Sequence, residues 1–423
     1  MTAMNDQTRA RLDGIQRTAL IAGVIGLVGM GVGFFVDPRQ AFQSYLYAYF
    51  IPLGLALGCL GWTMINYLTG GFWGLGSRRV FQAGIRTLPF LAVLFVPIAF
   101  AFLTQPHGAD GLAHGADGAA HADGEHGAGA YWLYPWTDPG LVAANEILIH
   151  KSAWLQGKFV LARAILCFVV WMILGRLLLS NARKYDETGD PRAEERTRTI
   201  SGPGLVLFFV VTSIAGFDWA MSVEPTWFST MYSLVHIVGM GLSALAFTIL
   251  FLSWMKEHEP FRHFARPNLF ADLGTLLFAT VMLWAYTSYS QFLIIWAGNT
   301  LEEAPWYVLR SSHGWLAVAV ALALLHFALP FFLLLMRRIK KDASYVALVA
   351  VLLIVMRFVD VYWQVAPPFH PTFAPHWLDL AAPVALLGLW LAIFVGRLKA
   401  HPLISPRQES AIHHALAHTQ HQH

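Results

Sequence analysis

"GFDWAMSVEPTWFSTMYS", residues 216–233, joins two long apolar runs, 202–222 before it and 228–254 after it. Runs of about 20 apolar residues cross roughly 30 Å of hydrocarbon as helices. The joint places Asp218 and Glu224 where most neighbours favour hydrocarbon, and His236 follows inside the second run. Similar runs recur along the whole chain. Of its 423 residues, 57% are hydrophobic and 13% are charged, against about 25% charged in soluble domains. The composition is that of an integral membrane protein.

Residues 1–16 are polar and the first apolar run continues at full spanning length, so the expectation is a membrane helix and not a cleaved signal peptide. Cys59 and Cys167 both fall inside apolar runs, and there is no CxxCH and no cysteine cluster. This excludes covalent haem, cysteine-held metal and a disulfide framework.

Ten spans are predicted, at 17–36, 42–68, 80–104, 157–180, 202–222, 228–254, 270–297, 311–336, 344–365 and 378–396. With the N-terminus inside, the inside segments hold 20 Lys and Arg, the outside segments and span edges four, and the spans themselves four. The largest inside cluster is "RRIKK" at 337–341. That asymmetry predicts cytoplasmic termini, with 1–16 and 397–423 as cytoplasmic segments. Segment 105–156 is then outside. It contains "HGADGLAHGADGAAHADGEHG", with His107, His114, His121 and His126 amid Gly, Ala and acidic residues. Such tracts either bind a divalent ion weakly or serve as low-complexity linkers. The His-rich tail "HHALAHTQHQH" has the character of a linker too.

The opening segment has an echo. "DWAMSVEPTW" from Asp218 resembles "DVYWQVAPPF" from Asp360, and "FQSYLYAYFIPLGLALG" from Phe42 resembles "FSTMYSLVHIVGMGLSA" from Phe228. The offsets are 142 and 186. The excess length of the loop at 105–156 over its counterpart at 299–310 nearly reconciles them. The all-α fold expected is therefore two four-helix bundles, helices 2–5 and 6–9, flanked by helices 1 and 10. Both bundles start on one side, as in a parallel repeat.

This topology assigns depths. Asp218, His236, Tyr289, Gln291, Arg357 and Asp360 all fall in the outer half. Arg357 and Asp360, three apart, share a helix face and can pair. Ionisable groups at such depth usually face a cavity, a pathway or a partner charge. Two readings follow: a polar pocket in which a carboxylate or neutral imidazole takes protons from a hydroxyl, or an ion-pair network that pins helices. Trp219, Trp227, Trp296, Trp306 and Trp363 read as an interfacial belt. Haem b between paired histidines is disfavoured, because His236 and His326 count out to different depths.

Three stretches, "GFDWAMSVEPTWFSTMYS", "SYSQFLIIWAGN…EEAPWY" and "RFVDVYWQVAPPF", resemble the NrfD-like (polysulfide reductase type) membrane family. Within it they are most similar to the shorter NrfD-like subunit of alternative complex III, a bacterial quinol:cytochrome c oxidoreductase. The resemblance covers most of 17–397. It implies a subunit of the bacterial cytoplasmic membrane with no redox cofactor of its own, contributing a pocket for menaquinone or ubiquinone, a proton path, or both. The partners it implies are a paralogous NrfD-like subunit, multihaem and monohaem cytochrome c subunits, an iron–sulfur subunit and, in some cases, a terminal oxidase. A secondary transporter and a purely structural scaffold are the competing readings. The topology is checked by fusing green fluorescent protein after His423. Fluorescence is expected from a cytoplasmic C-terminus, and a dark fusion that is exported would reverse the orientation.

Overall fold

The computed structural model describes residues 6–104, 132–259 and 261–401. Ten helices among them are long and apolar enough to cross a membrane, so the chain is a multi-pass membrane protein. They are α1 (Asp6–Val36), α2 (Pro38–Thr69), α3 (Phe72–Leu103), α4 (Gly157–Thr188), α5 (Pro191–Val223), α6 (Thr230–Met255), α7 (Pro267–Gly298), α8 (Trp315–Leu335), α9 (Ala343–Val365) and α10 (Leu378–Lys399). No strand occurs among the described residues. His107, His114, His121 and His126, like the tail from 402, lie outside them.

Several helices outrun their predicted spans. α1 begins eleven residues before 17, α4 ends eight after 180 and α5 begins eleven before 202. The reason is physical: hydropathy marks the stretch that needs hydrocarbon, while the helix continues into water as long as its backbone bonds and caps allow. Asp37, Asp190 and Asp342 each cap a helix by accepting backbone N–H groups, the usual role of Asp at that position. α3 is broken into Phe72–Ile85, Leu88–Leu94 and Val96–Leu103. Pro89 and Pro97 open the later pieces, since a proline cannot supply the N–H that would continue the preceding turn.

α2 is enclosed by protein almost all round and touches α1, α3, α5, α6, α9 and α10. A helix apolar on every side belongs in such a place. Its closest approach is to α6. A Cβ on Gly58 would lie 2.2 Å from the Met240 carbonyl oxygen, and the Trp62 indole donates to the Gly241 carbonyl at 2.8 Å. α1 and α10 pack as tightly: a Cβ on Gly26 would lie 2.4 Å from the Ala385 nitrogen, and one on Gly388 2.6 Å from that of Gly23. Small residues permit such backbone contact, which drives helix association where no hydrophobic force acts between helices. Outward faces are apolar, as with Ile25 and Val28 on α1, Ile165 and Leu166 on α4, and Leu348 on α9.

Lys399 bonds Asp13 and Gln16, so both ends of the described chain meet at one end of the bundle, the terminal end. The opposite end is closed by loops. The Tyr134 hydroxyl donates to the Trp219 carbonyl at 2.9 Å, and Lys151 donates to the Pro225 carbonyl at 2.7 Å. Burial lowers the Lys151 pKa from its ordinary value.

Gly58→Ala is expected to force α2 from α6 and cost about 1–3 kcal/mol. A thermal melt of the detergent-solubilised chain measures it, and an unchanged midpoint would refute the direct contact.

Candidate functional site

Two buried carboxylates organise the end opposite the termini. Asp218, at the end of α5, is held by Arg163 of α4, with Nε–Oδ2 at 2.6 Å and Nη2–Oδ1 at 3.1 Å. The Trp154 indole adds a third donor to Oδ1 at 2.9 Å. The guanidinium also lies 4.0 Å over the Trp154 ring. A fork-on-fork pair that takes three of about four acceptor positions, two of them from one arginine, is a positioning device. It locks the start of α4 to the end of α5.

Asp360, which begins the stretch that resembles the one from Asp218, sits differently. Its Oδ2 accepts from Arg357, one turn earlier on α9, and from the Trp284 indole of α7 at 3.1 Å; Oδ1 accepts from Gln364 at 2.8 Å. A carboxylate offers about four acceptor positions, so one remains on the Oδ1 side. The Arg357 guanidinium fits because α6 has Gly239 there: a Cβ would lie 2.3 Å from Arg357 Cζ.

Both Arg357 and Asp360 act electrostatically on His236 of α6 and on His326 of α8. His236 Nδ1 contacts the Tyr232 carbonyl at 3.3 Å, while His236 Nε2 and both ring nitrogens of His326 are buried and unpartnered among the described residues. The expected difference in depth between the two histidines does not separate them from this common pair. α8 starts at Trp315 and not at 311, which brings His326 about 6 Å nearer the loop end at 1.5 Å per residue. The stretch Leu322–Ala328 is also a π-helical turn. Pro330 lies four residues after His326 and cannot donate to its carbonyl, which accounts for the irregularity.

The Asp360 group forms part of the floor of a cavity of about 940 Å³ between α7, α8 and α9. Gln364, Gln291, Arg310, Ser288 and Asn299 are among its polar lining, and Val320, Phe292 and Phe327 among the apolar walls. Gln291 accepts from the Ser229 hydroxyl and donates to the Tyr307 hydroxyl, both at 3.2 Å. Burial pushes the Tyr307 phenol up to about 12, so it stays protonated. Arg310 is held by Glu224 at 2.7 Å and by the carbonyls of Trp306, Trp363 and Gln364, with the Trp306 ring 3.6 Å from its Cζ. The mouth runs between exposed apolar side chains of α7 and α8. Tyr289 stands at that mouth, 61% exposed.

Arg357, Asp360 and His236 are thus brought together, Gln291 and the exposed Tyr289 line the same cavity as Asp360, and Asp218 belongs to a separate pair. Sequence reading missed Arg163, Glu224–Arg310 and His326 as members of these arrangements. Arginines inside spans need partners, and Arg163 was one of four such residues; its partner 55 positions away was not legible. Also missed was Asp379 at the start of α10, which accepts from Ser44 at 2.6 Å, Tyr362 at 3.0 Å and Gln40 at 3.2 Å.

No model of a known protein family matches the chain, and no curated protein matches it significantly.

Removing one partner of a buried pair costs about 3–5 kcal/mol, while replacing both with apolar residues is often neutral. Arg163→Met is therefore expected to lower stability by that amount, and Arg163→Met with Asp218→Leu to recover most of it. Equal melting of the single and double variants would show that the pair is not what holds α4 to α5.

Proposed function

We propose that this chain is the shorter NrfD-like membrane subunit of a bacterial quinol:cytochrome c oxidoreductase of the alternative complex III type. In this reading the cavity between α7, α8 and α9 receives the head group of menaquinol or ubiquinol. The chain sits in the cytoplasmic membrane with the terminal end inside, and α2–α5 and α6–α9 are the two repeated bundles. α4 packs on α5 and α6 on α7 and α9 within these bundles, and α2 joins the two through α6.

The observation that carries the reading is the cavity floor. Asp360, with an acceptor position to spare, opens into an apolar-walled space of about 940 Å³ beside Gln364 and Gln291. Ligand sites commonly combine apolar walls with a few placed polar groups. Apolar walls suit a quinone ring and the start of its isoprenoid tail, and the mouth between α7 and α8 faces the direction from which a lipid-dissolved molecule arrives.

Oxidation of a quinol to a quinone releases two electrons and two protons. The electrons leave to haem or iron–sulfur groups of partner subunits. This chain's part is to orient the head group through Gln291 and Gln364 and to accept the two protons in turn at Asp360, which passes the first on before it takes the second. Proton transfer to a positioned carboxylate contributes typically 10²–10⁴-fold. Arg357 and Trp284 hold the carboxylate in place, and His236 and His326 lie on the route by which a proton could move further. Asp218, gripped by Arg163 from the neighbouring helix and absent from the cavity lining, has a structural part.

Asp360→Asn in the assembled complex is expected to lower quinol:cytochrome c turnover by at least tenfold, with co-purifying haem and iron–sulfur subunits unchanged. Full turnover in that variant would overturn the pocket. Recovery of the gently solubilised chain without haem-bearing partners would overturn the assignment to such a complex and favour a transporter.

A further inference from the structure

At the terminal end, α3, α4 and α10 bring together charges that no member of the polar cavity explains. Arg79 and Arg86 come from the first part of α3, Arg183 from the last turns of α4 and Arg397 from the last turns of α10. Arg86 lies in the field of the other three, and His401, just beyond α10, in the field of all four. Two acids answer them: Asp186 pairs with Arg79 at 2.8 Å and Glu187 with Arg183 at 2.6 Å. Four guanidinium groups against two carboxylates leave a surplus of two positive charges. The Arg86 and Arg397 guanidinium groups make no hydrogen bond or ion pair among the described residues, although Arg86 is half-buried.

Like charges gathered at the edge of a low-dielectric region repel one another, and a half-buried cation without a partner is costly. Their position says which anion relieves this. On α4 the exposed apolar face runs through Ile173 to Leu177, and Arg183 follows within two turns. On α3, Arg86 precedes the exposed apolar Val93 by two turns. The cluster therefore stands at the border of the apolar belt, the level of lipid phosphates. Burial, then the four guanidinium groups, lower the pKa of His401 from its ordinary value, so the imidazole adds little repulsion of its own.

We infer that Arg79, Arg86, Arg183 and Arg397 form a binding site for the phosphate of an anionic lipid headgroup, between the ends of α3, α4 and α10. Arg86 is the central ligand, since it alone is both sheltered and unpaired; Arg397 closes the site from the last helix. Basic pockets between membrane helices take such headgroups, at about 1 kcal/mol per cation, which is roughly a fivefold change in affinity. This inference does not rest on the quinone reading.

Native mass spectrometry of the full chain in detergent, titrated with dioleoyl phosphatidylglycerol or dioleoyl phosphatidylcholine, tests it. Phosphatidylglycerol is expected to bind in preference, with about fivefold weaker binding in Arg86→Gln and a similar loss in Arg397→Gln. Arg86→Lys is expected to keep most of the preference, which separates charge from folding, and Arg338→Gln, in the basic segment at 337–341, to leave it intact. Equal retention of the two lipids, or undiminished preference in Arg86→Gln, would overturn the site. Inorganic phosphate at matched ionic strength distinguishes the sources. Arginine-dependent phosphate binding without any lipid preference would make this a site for free phosphate and overturn the lipid assignment.

Discussion

The contact on which the rest of the structure depends is that of α2 with α6, backbone against backbone at Gly58 and the Met240 carbonyl. Between two apolar helices in lipid there is no hydrophobic gain from association, so close packing and hydrogen bonds must hold them. A glycine on one side brings the axes near enough for the Trp62 indole to reach the Gly241 carbonyl. With that spacing set, α2 is enclosed by its neighbours and α6 presents its other faces to α7 and α9. Gly239 on α6 then leaves the hollow that the Arg357 guanidinium occupies. The same narrow spacing that joins the central helices thus also makes room for the buried charge.

The carboxylates of the two similar stretches have different settings. Asp218 and Asp360 each accept from an arginine and from a tryptophan indole. At Asp218 the arginine comes from a different helix and grips both oxygens, so the pair ties helices together. At Asp360 the arginine comes from the same helix and reaches one oxygen, and the other faces a cavity with a single glutamine on it. What differs is where the guanidinium originates. A partner on the same helix ties nothing across helices, and it leaves the carboxylate open on the cavity side.

Much of the architecture was legible from the sequence because membrane helices announce themselves. Each span must cover its backbone and present apolar residues for about 20 positions, and all ten spans predicted from that rule correspond to helices. The Arg357–Asp360 pair was legible as well, since three-residue spacing sets two side chains on one face. Helix ends were less legible, because α1, α4 and α5 continue as polar helix past the last residue that needs lipid. One helix start shifted as well, since α8 begins at Trp315, four residues after the predicted 311, and contains a π turn around His326.

By itself the sequence determined that this chain has ten stretches long and apolar enough to cross a membrane, and that several ionisable residues lie within them. Both follow from local rules, hydropathy and periodicity, that act along the chain. Which distant groups meet was decided by tertiary structure: Arg163 pairs with Asp218 and Arg310 with Glu224, while Asp379 accepts from the Ser44 and Tyr362 hydroxyls. Those partners are between 17 and 335 positions apart, and nothing in either local segment specifies the other. The physical reason is that burial makes an unpaired charge costly wherever it arises, while only the packing of helices determines which opposite charge or donor stands within reach.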